Sequence, residues 1–103
     1  MMETISAKEL DRYVQDGRTM IVDLRPREEY MQGHIRGAIN VPNGVFDREL
    51  WGRQGETIVL YCTRGALSMS VARELEEQGY HTKSVVGGIR AYRGKNMVDL
   101  RAT

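Results

Sequence analysis

One cysteine, Cys62, stands in the stretch Tyr61-Cys62-Thr63-Arg64-Gly65-Ala66-Leu67-Ser68, and its thiol is the chain's candidate for covalent chemistry. The β-branched run Thr57-Ile58-Val59-Leu60 before it reads as a buried strand, and Leu67, Val71, Ala72 and Leu75 after it share one face of a helix. The cysteine therefore falls on a strand-to-helix turn. Backbone N–H groups and the positive end of a helix dipole favour an anion at such a turn. A thiolate is an anion and the nucleophilic form of the side chain, and Arg64 supplies a cationic neighbour. A lone cysteine at a strand end is ordinarily an inert part of the core. Arg64, Gly65 and the following helix turn the reading to a nucleophile.

Other chemistries find little to work with. A single cysteine closes no internal disulfide, and with only His34 and His81 beside it no zinc or iron–sulfur ligand set assembles at known spacings. Metal catalysis is not expected, and no cofactor is implied. The net charge of +1, from 15 Lys and Arg against 14 Asp and Glu, carries no electrostatic footprint for nucleic acid or a membrane surface. Arg90, Arg93, Lys95 and Arg101 outnumber Asp99 near the C-terminus, which reads as a solvated face. The hydrophobic fraction of 41% and charged fraction of 28% suit a globular protein, and no apolar run reaches membrane-spanning length. One domain over residues 1–103 is expected, burying roughly two-thirds of its unfolded surface. Met1 to Ser6 has no basic segment followed by an apolar one, so the default expectation is cytoplasmic.

The elements that must position Cys62 alternate between strand and helix. Thr4-Ile5 reads as a first strand, and Ser6-Ala7-Lys8-Glu9 has the form of a capping box. Leu10, Tyr13 and Val14 stripe the helix that follows, which Gly17 ends. Met20-Ile21-Val22 predicts a second strand ending at Asp23 or Leu24, and Pro26 opens a helix over Arg27 to Gln32 that Gly33 closes. Ala38 to Val41 reads as a short strand stopped by Pro42. Val45, Phe46, Leu50 and Trp51 suggest one or two helical turns, and residues 52–56 a loop. A helix from about Ala66 to Gln78 ends at Gly79, and Tyr80 to Val86 holds a last strand. Gly87-Gly88 is a tight turn and Ile89 to Arg93 a short helix.

This alternation predicts an α/β fold, a mainly parallel central sheet of about five strands with helices on both faces. Ligand sites in such sheets lie beyond the carboxyl ends of the strands. That rule brings Asp23 to Arg25, Cys62 to Ser68 and Gly87-Gly88 to one edge.

In their order, Val22-Asp23-Leu24-Arg25, Glu29-Tyr30 with Gly33-His34-Ile35-Arg36-Gly37-Ala38-Ile39-Asn40-Val41-Pro42, Tyr61-Cys62-Thr63-Arg64-Gly65 with Ser68, and Val86-Gly87-Gly88 resemble the rhodanese family of sulfurtransferases. The likeness spans nearly the whole chain. It implies that Cys62 takes the outer sulfur of a donor, either a small anion such as thiosulfate or a protein persulfide, and passes it from a persulfide to cyanide or a thiol. It further implies that Thr63, Arg64, Gly65, Ala66, Leu67 and Ser68 cradle that sulfur. Gly65 would let the backbone curl, Arg64 would meet the donor's sulfonate, and Ser68 would cap the helix or donate to the loop. Asp23 and Arg25, with Glu29, are read as a charge network holding the loops, Gly87 and Gly88 as supporting residues, and His34 as a hydrogen-bonded turn residue.

Leu67 and Tyr92 depart from the family pattern, which often has a second basic residue and a tryptophan there. The first bears on thiosulfate as donor, and the second reads as an exchange of packing aromatics. Two rival readings rank below sulfur transfer. A non-catalytic interaction or regulatory module comes second, although such domains commonly lack the cysteine. A cysteine phosphatase comes third, because a C-x5-R loop would need arginine where this chain has Ser68.

Overall fold

The computed structural model describes residues 2–45 and 56–99. The helical turns expected around Phe46, Leu50 and Trp51, the loop at 52–55 and Arg101 lie outside the described residues.

Five strands make the central sheet: β1 (Glu3–Ile5), β2 (Met20–Asp23), β4 (Ile39–Asn40), β5 (Thr57–Tyr61) and β6 (His81–Val85). They lie in the order β1-β6-β5-β2-β4, and every pairing is parallel, as right-handed crossovers through helices require. The register sets Asp23 opposite Tyr61, so β2 and β5 finish side by side and their exits open on the same edge.

Alternation along the strands sorts the core into two layers. Val22, Leu24, Ile58, Leu60 and Cys62 face one side, where helix α3 (Ala66–Glu77) covers them with Val71, Ala72 and Leu75. Ile21, Val59, Tyr61 and Val85 face the other, against Ala7, Leu10 and Tyr92, with Tyr13, Tyr30 and Ile89 packed around them. Helix α1 (Leu10–Asp16) and helix α2 (Arg27–Gln32) supply Leu10, Tyr13 and Tyr30 to that second layer. Each buried aliphatic side chain contributes about 1.5 to 3 kcal/mol, so the α3 stripe anchors the helix that begins beside Cys62.

Local signals act as expected at several joints. The Ser6 hydroxyl accepts from the Glu9 amide at 3.3 Å and donates to the Glu9 carboxylate at 3.4 Å, capping a 3-10 turn that runs into α1. Gly17 ends α1 at a φ of 68°. The short helix expected over Ile89 to Arg93 is a 3-10 turn over Gly88–Ala91.

A second, two-stranded antiparallel sheet was not foreseen. It pairs β3 (His34–Ile35) with β7 (Met97–Val98), so the strand ending at Val85 is not the last one. Two-residue strands are too short for alternation to register.

Candidate active site

Cys62 leaves the C-terminal end of β5, is 5% exposed, and faces the α3 layer. Its Sγ accepts hydrogen bonds from the Gly65 amide at 3.1 Å and the Ser68 amide at 3.4 Å. Gly65 makes the curl possible, because its φ of 106° is closed to residues with a Cβ, and such a Cβ would also come within 3.1 Å of the Gly87 nitrogen. Ser68, fully buried, donates its hydroxyl to the Gly65 carbonyl at 3.1 Å.

The turn that follows the double glycine grips the loop from outside. The Ile89 amide donates to the Cys62 carbonyl at 2.9 Å and the Arg90 amide to the Thr63 carbonyl at 3.2 Å. Both peptides are trans, so the N–H groups of Thr63 and Arg64 point to the opposite side from those tethered carbonyls. A loop whose carbonyls are tied back and whose amides are free to gather on an anion is a nest.

Asp23 and Arg25 form a buried ion pair at the neighbouring strand exit. Arg25 Nη2 lies 2.7 Å from Asp23 Oδ2, Nε bonds both carboxylate oxygens at 3.1 Å, and the Arg25 amide donates to Oδ1 at 2.8 Å. Burial works against the guanidinium charge, and the hydrogen bonds and charge of Asp23 outweigh it, so the Arg25 pKa is raised. The guanidinium also donates to the Gly33 carbonyl and lies 5.9 Å from the centre of the Tyr61 ring. Burial first, and then the Asp23 charge, push the Tyr61 phenol far above its ordinary range, and its oxygen accepts from the Ile35 amide at 3.0 Å. The charge network read from the sequence is joined by a main-chain group. Gly33 supplies the further hydrogen bond, and Glu29 acts on Arg25 through its charge. His34 is buried, bonds the Tyr30 carbonyl through Nδ1 at 2.8 Å and stacks on the Tyr30 ring at 3.8 Å.

An open cleft of about 430 Å³ lies over these exits. Cys62, Thr63, Arg64, Ala66 and Leu67 line one side, and Leu24, Arg25, Pro26, Glu29 and Asn43 the other. Arg64 is exposed, and so are Ala66 and Leu67. Asn43, with a φ of 61°, and Glu29 were not among the loop residues expected at the cleft. Asp23, Arg25 and the Cys62 to Ser68 loop thus gather at one edge, with Gly87 and Gly88 behind the loop rather than in the cleft. Ser84 escaped the sequence reading. It is 1% exposed and its Oγ lies 2.7 Å from that of Ser68. The signal available was a hydroxyl in a central strand where a hydrocarbon is usual.

Such a sheet, with the cysteine loop between its central strand and a helix, defines the rhodanese-like class. The chain belongs to that family: the rhodanese-like domain model matches residues 6–95. A tRNA sulfurtransferase of Desulfurococcus amylolyticus is 36% identical over 77 residues, 75% of this chain and 15% of that protein. The YtwF protein of Bacillus subtilis, whose name gives a provisional sulfurtransferase assignment, is 31% identical across 78% of this chain and 79% of its own length. A rhodanese-like domain protein of Staphylococcus aureus superposes with a TM-score of 0.81 at 27% identity, covering 95% of this chain and 98% of that one. The chain spans less than half the length of several curated relatives it matches, among them the D. amylolyticus enzyme. No helix among the described residues is long and apolar enough to cross a membrane.

Proposed function

We propose that this protein is a sulfurtransferase that moves a sulfane sulfur through a persulfide on Cys62. The observation that carries the reading is the convergence of the Gly65 and Ser68 amides on Cys62 Sγ at the edge of an open cleft. Two amides aimed at the sulfur are placed to hydrogen-bond the negative charge it carries during transfer.

The thiolate attacks the outer sulfur of the donor. The donor's S–S bond breaks, and its electron pair leaves on sulfite when the donor is thiosulfate, or on a thiolate when it is a persulfide. Cys62 then carries a terminal sulfur with one negative charge, which the amides of the loop solvate in place of water. Cyanide or a thiolate next attacks that terminal sulfur, the new S–S bond breaks, and the electron pair returns to Cys62. The product is thiocyanate or a new persulfide, and no outside oxidant or reductant enters.

Arg64 stands at the rim where the sulfonate of an anionic donor would sit, while Arg25 is committed to Asp23 and Gly33. Phosphate chemistry gains no support, since Ser68 occupies the position needed by a phosphate-clamping arginine and is itself buried in hydrogen bonds.

Initial-rate kinetics test the proposal, with cyanide as acceptor and either thiosulfate or cysteine persulfide as donor. Parallel double-reciprocal lines, and their disappearance in Cys62→Ser, are expected for two half-reactions sharing one covalent form. Transfer that survives in Cys62→Ser would rule the mechanism out.

A further inference from the structure

Strand β6 is flanked by β1 and β5, and the side it turns to α3 carries hydroxyls: Thr82 donates to the Ala72 carbonyl at 3.1 Å, and Ser84 meets Ser68 at 2.7 Å. Buried hydroxyls in a central strand cost stability unless satisfied, so their partners show what they do. Thr82 and the Glu76 carboxylate tie the far end of α3 to the sheet. Ser84 reaches the near end, where Cys62 lies.

The direction of the Ser84 contact follows from counting protons. A carbonyl only accepts, so the single hydroxyl proton of Ser68 goes to Gly65, and the proton between the two serines must come from Ser84. The chain runs from the Ser84 hydroxyl to the Ser68 hydroxyl to the Gly65 carbonyl. Gly65 and Ser68 are also the two residues whose amides bond Cys62 Sγ. We infer that Ser84 is a positioning residue for sulfur transfer: from the strand beside β5, it fixes through Ser68 the two amides that hold the Cys62 sulfur. The inference rests on the sulfurtransferase reading above. Ser84 lies in β6 and the turn over Gly88–Ala91 follows that strand, so one stretch of chain grips the loop on both sides, through the Ser84 side chain within and through the Ile89 and Arg90 amides outside.

Ser84→Ala, Ser68→Ala, the double variant and Ser84→Thr test it by the rate at which Cys62 takes up sulfur from saturating thiosulfate or cysteine persulfide. Ser84→Ala is expected to slow uptake by roughly five- to tenfold, the factor that one hydrogen bond represents, with half-saturating donor concentration changed by less than about twofold. The double variant should be no slower than the slower single variant, because both lie on one chain of contacts. Ser84→Thr, which keeps the hydroxyl, should recover most of the rate. Where the alanine variant does not fold, Ser84→Cys keeps the volume without the strong donor, with uptake at Cys62 read by peptide mapping. A Ser84→Ala protein that melts earlier but loads at the wild-type rate, or losses that multiply in the double variant, would overturn the assignment. Wild type that takes sulfur from neither donor would instead defeat the sulfurtransferase reading itself.

Discussion

A Cβ added at Gly88 would lie 2.5 Å from the carbonyl oxygen of Cys62, inside any distance that real side chains adopt. The turn behind the loop is thus pressed directly on the backbone of the nucleophile. Gly88→Ala must move one of them, and its φ of 61° adds a conformational penalty. The expected result is a loss of more than about tenfold in sulfur uptake, since a displaced reacting group is costly. Gly37→Ala is the control: its φ is 84° but nothing lies within 4 Å, so it should cost about 1 to 2 kcal/mol in denaturation and leave uptake unchanged. Equal effects of the two on uptake would show that the contact between Gly88 and Cys62 is unimportant.

Removing one charge of the Asp23–Arg25 pair strands the other in the core. Asp23 is fully buried and Arg25 8% exposed, so Asp23→Asn should destabilise by about 3 to 5 kcal/mol. Urea denaturation measures it. A loss below about 1 kcal/mol, the usual worth of a surface pair, would mean that water reaches Arg25 once its partner is neutral.

Much of this arrangement was legible in the residues because the relevant patterns are local. The run from Thr57 to Leu60 and the stripe Leu67, Val71, Ala72, Leu75 place Cys62 between a strand and a helix, and both elements are there. Asp23 and Arg25, two residues apart across a strand exit, form the expected pair. The pairing of β3 with β7 joins segments some sixty residues apart through two residues each, and no local pattern encodes it. Gly33 joins the Arg25 network as a further hydrogen-bond partner, and no residue pattern announces it because a main-chain carbonyl is invisible to side-chain reasoning. Ser84 was missed for a similar reason: its role depends on Ser68, a residue on another element.

Acid should act partly through Asp11. Hydrogen bonds from the Tyr92 hydroxyl and from Asn96 hold its carboxyl below the ordinary value of 3.8. A lowered folded pKa means that the folded state favours the charged form. Its contribution is complete above the unfolded value and is lost as pH falls through the folded one. Tyr92→Phe removes the larger cause. Wild type should therefore be more stable than Tyr92→Phe by under about 1 kcal/mol from this charge at neutral pH, with the difference shrinking below about pH 4. A gap that is the same at about pH 2 as at neutrality would show that Tyr92 acts by packing alone.

Arg64 should matter more for a donor that carries a sulfonate than for one that does not. Its guanidinium is exposed at the cleft, and a charge-assisted contact to a sulfonate is worth roughly 1.5 to 3 kcal/mol. Arg64→Ala should lower kcat/KM for thiosulfate by the corresponding factor and change it less for an alkyl persulfide, which carries no sulfonate for the guanidinium to meet. Equal losses with both donors would assign Arg64 to shaping the loop instead.

Cys62 is the only thiol in the chain, so sulfur that it accepts cannot pass to a second cysteine of the same molecule. Intact-protein mass spectrometry after brief exposure to thiosulfate or cysteine persulfide, followed by removal of the donor, tests the covalent step most directly. The expected spectrum shows the mass of one added sulfur atom, mapped to Cys62, which vanishes when cyanide or a thiol is added and never forms in Cys62→Ser. Wild-type protein that keeps its unmodified mass with both donors, while Cys62 remains reactive toward an alkylating agent, would contradict sulfur transfer through Cys62.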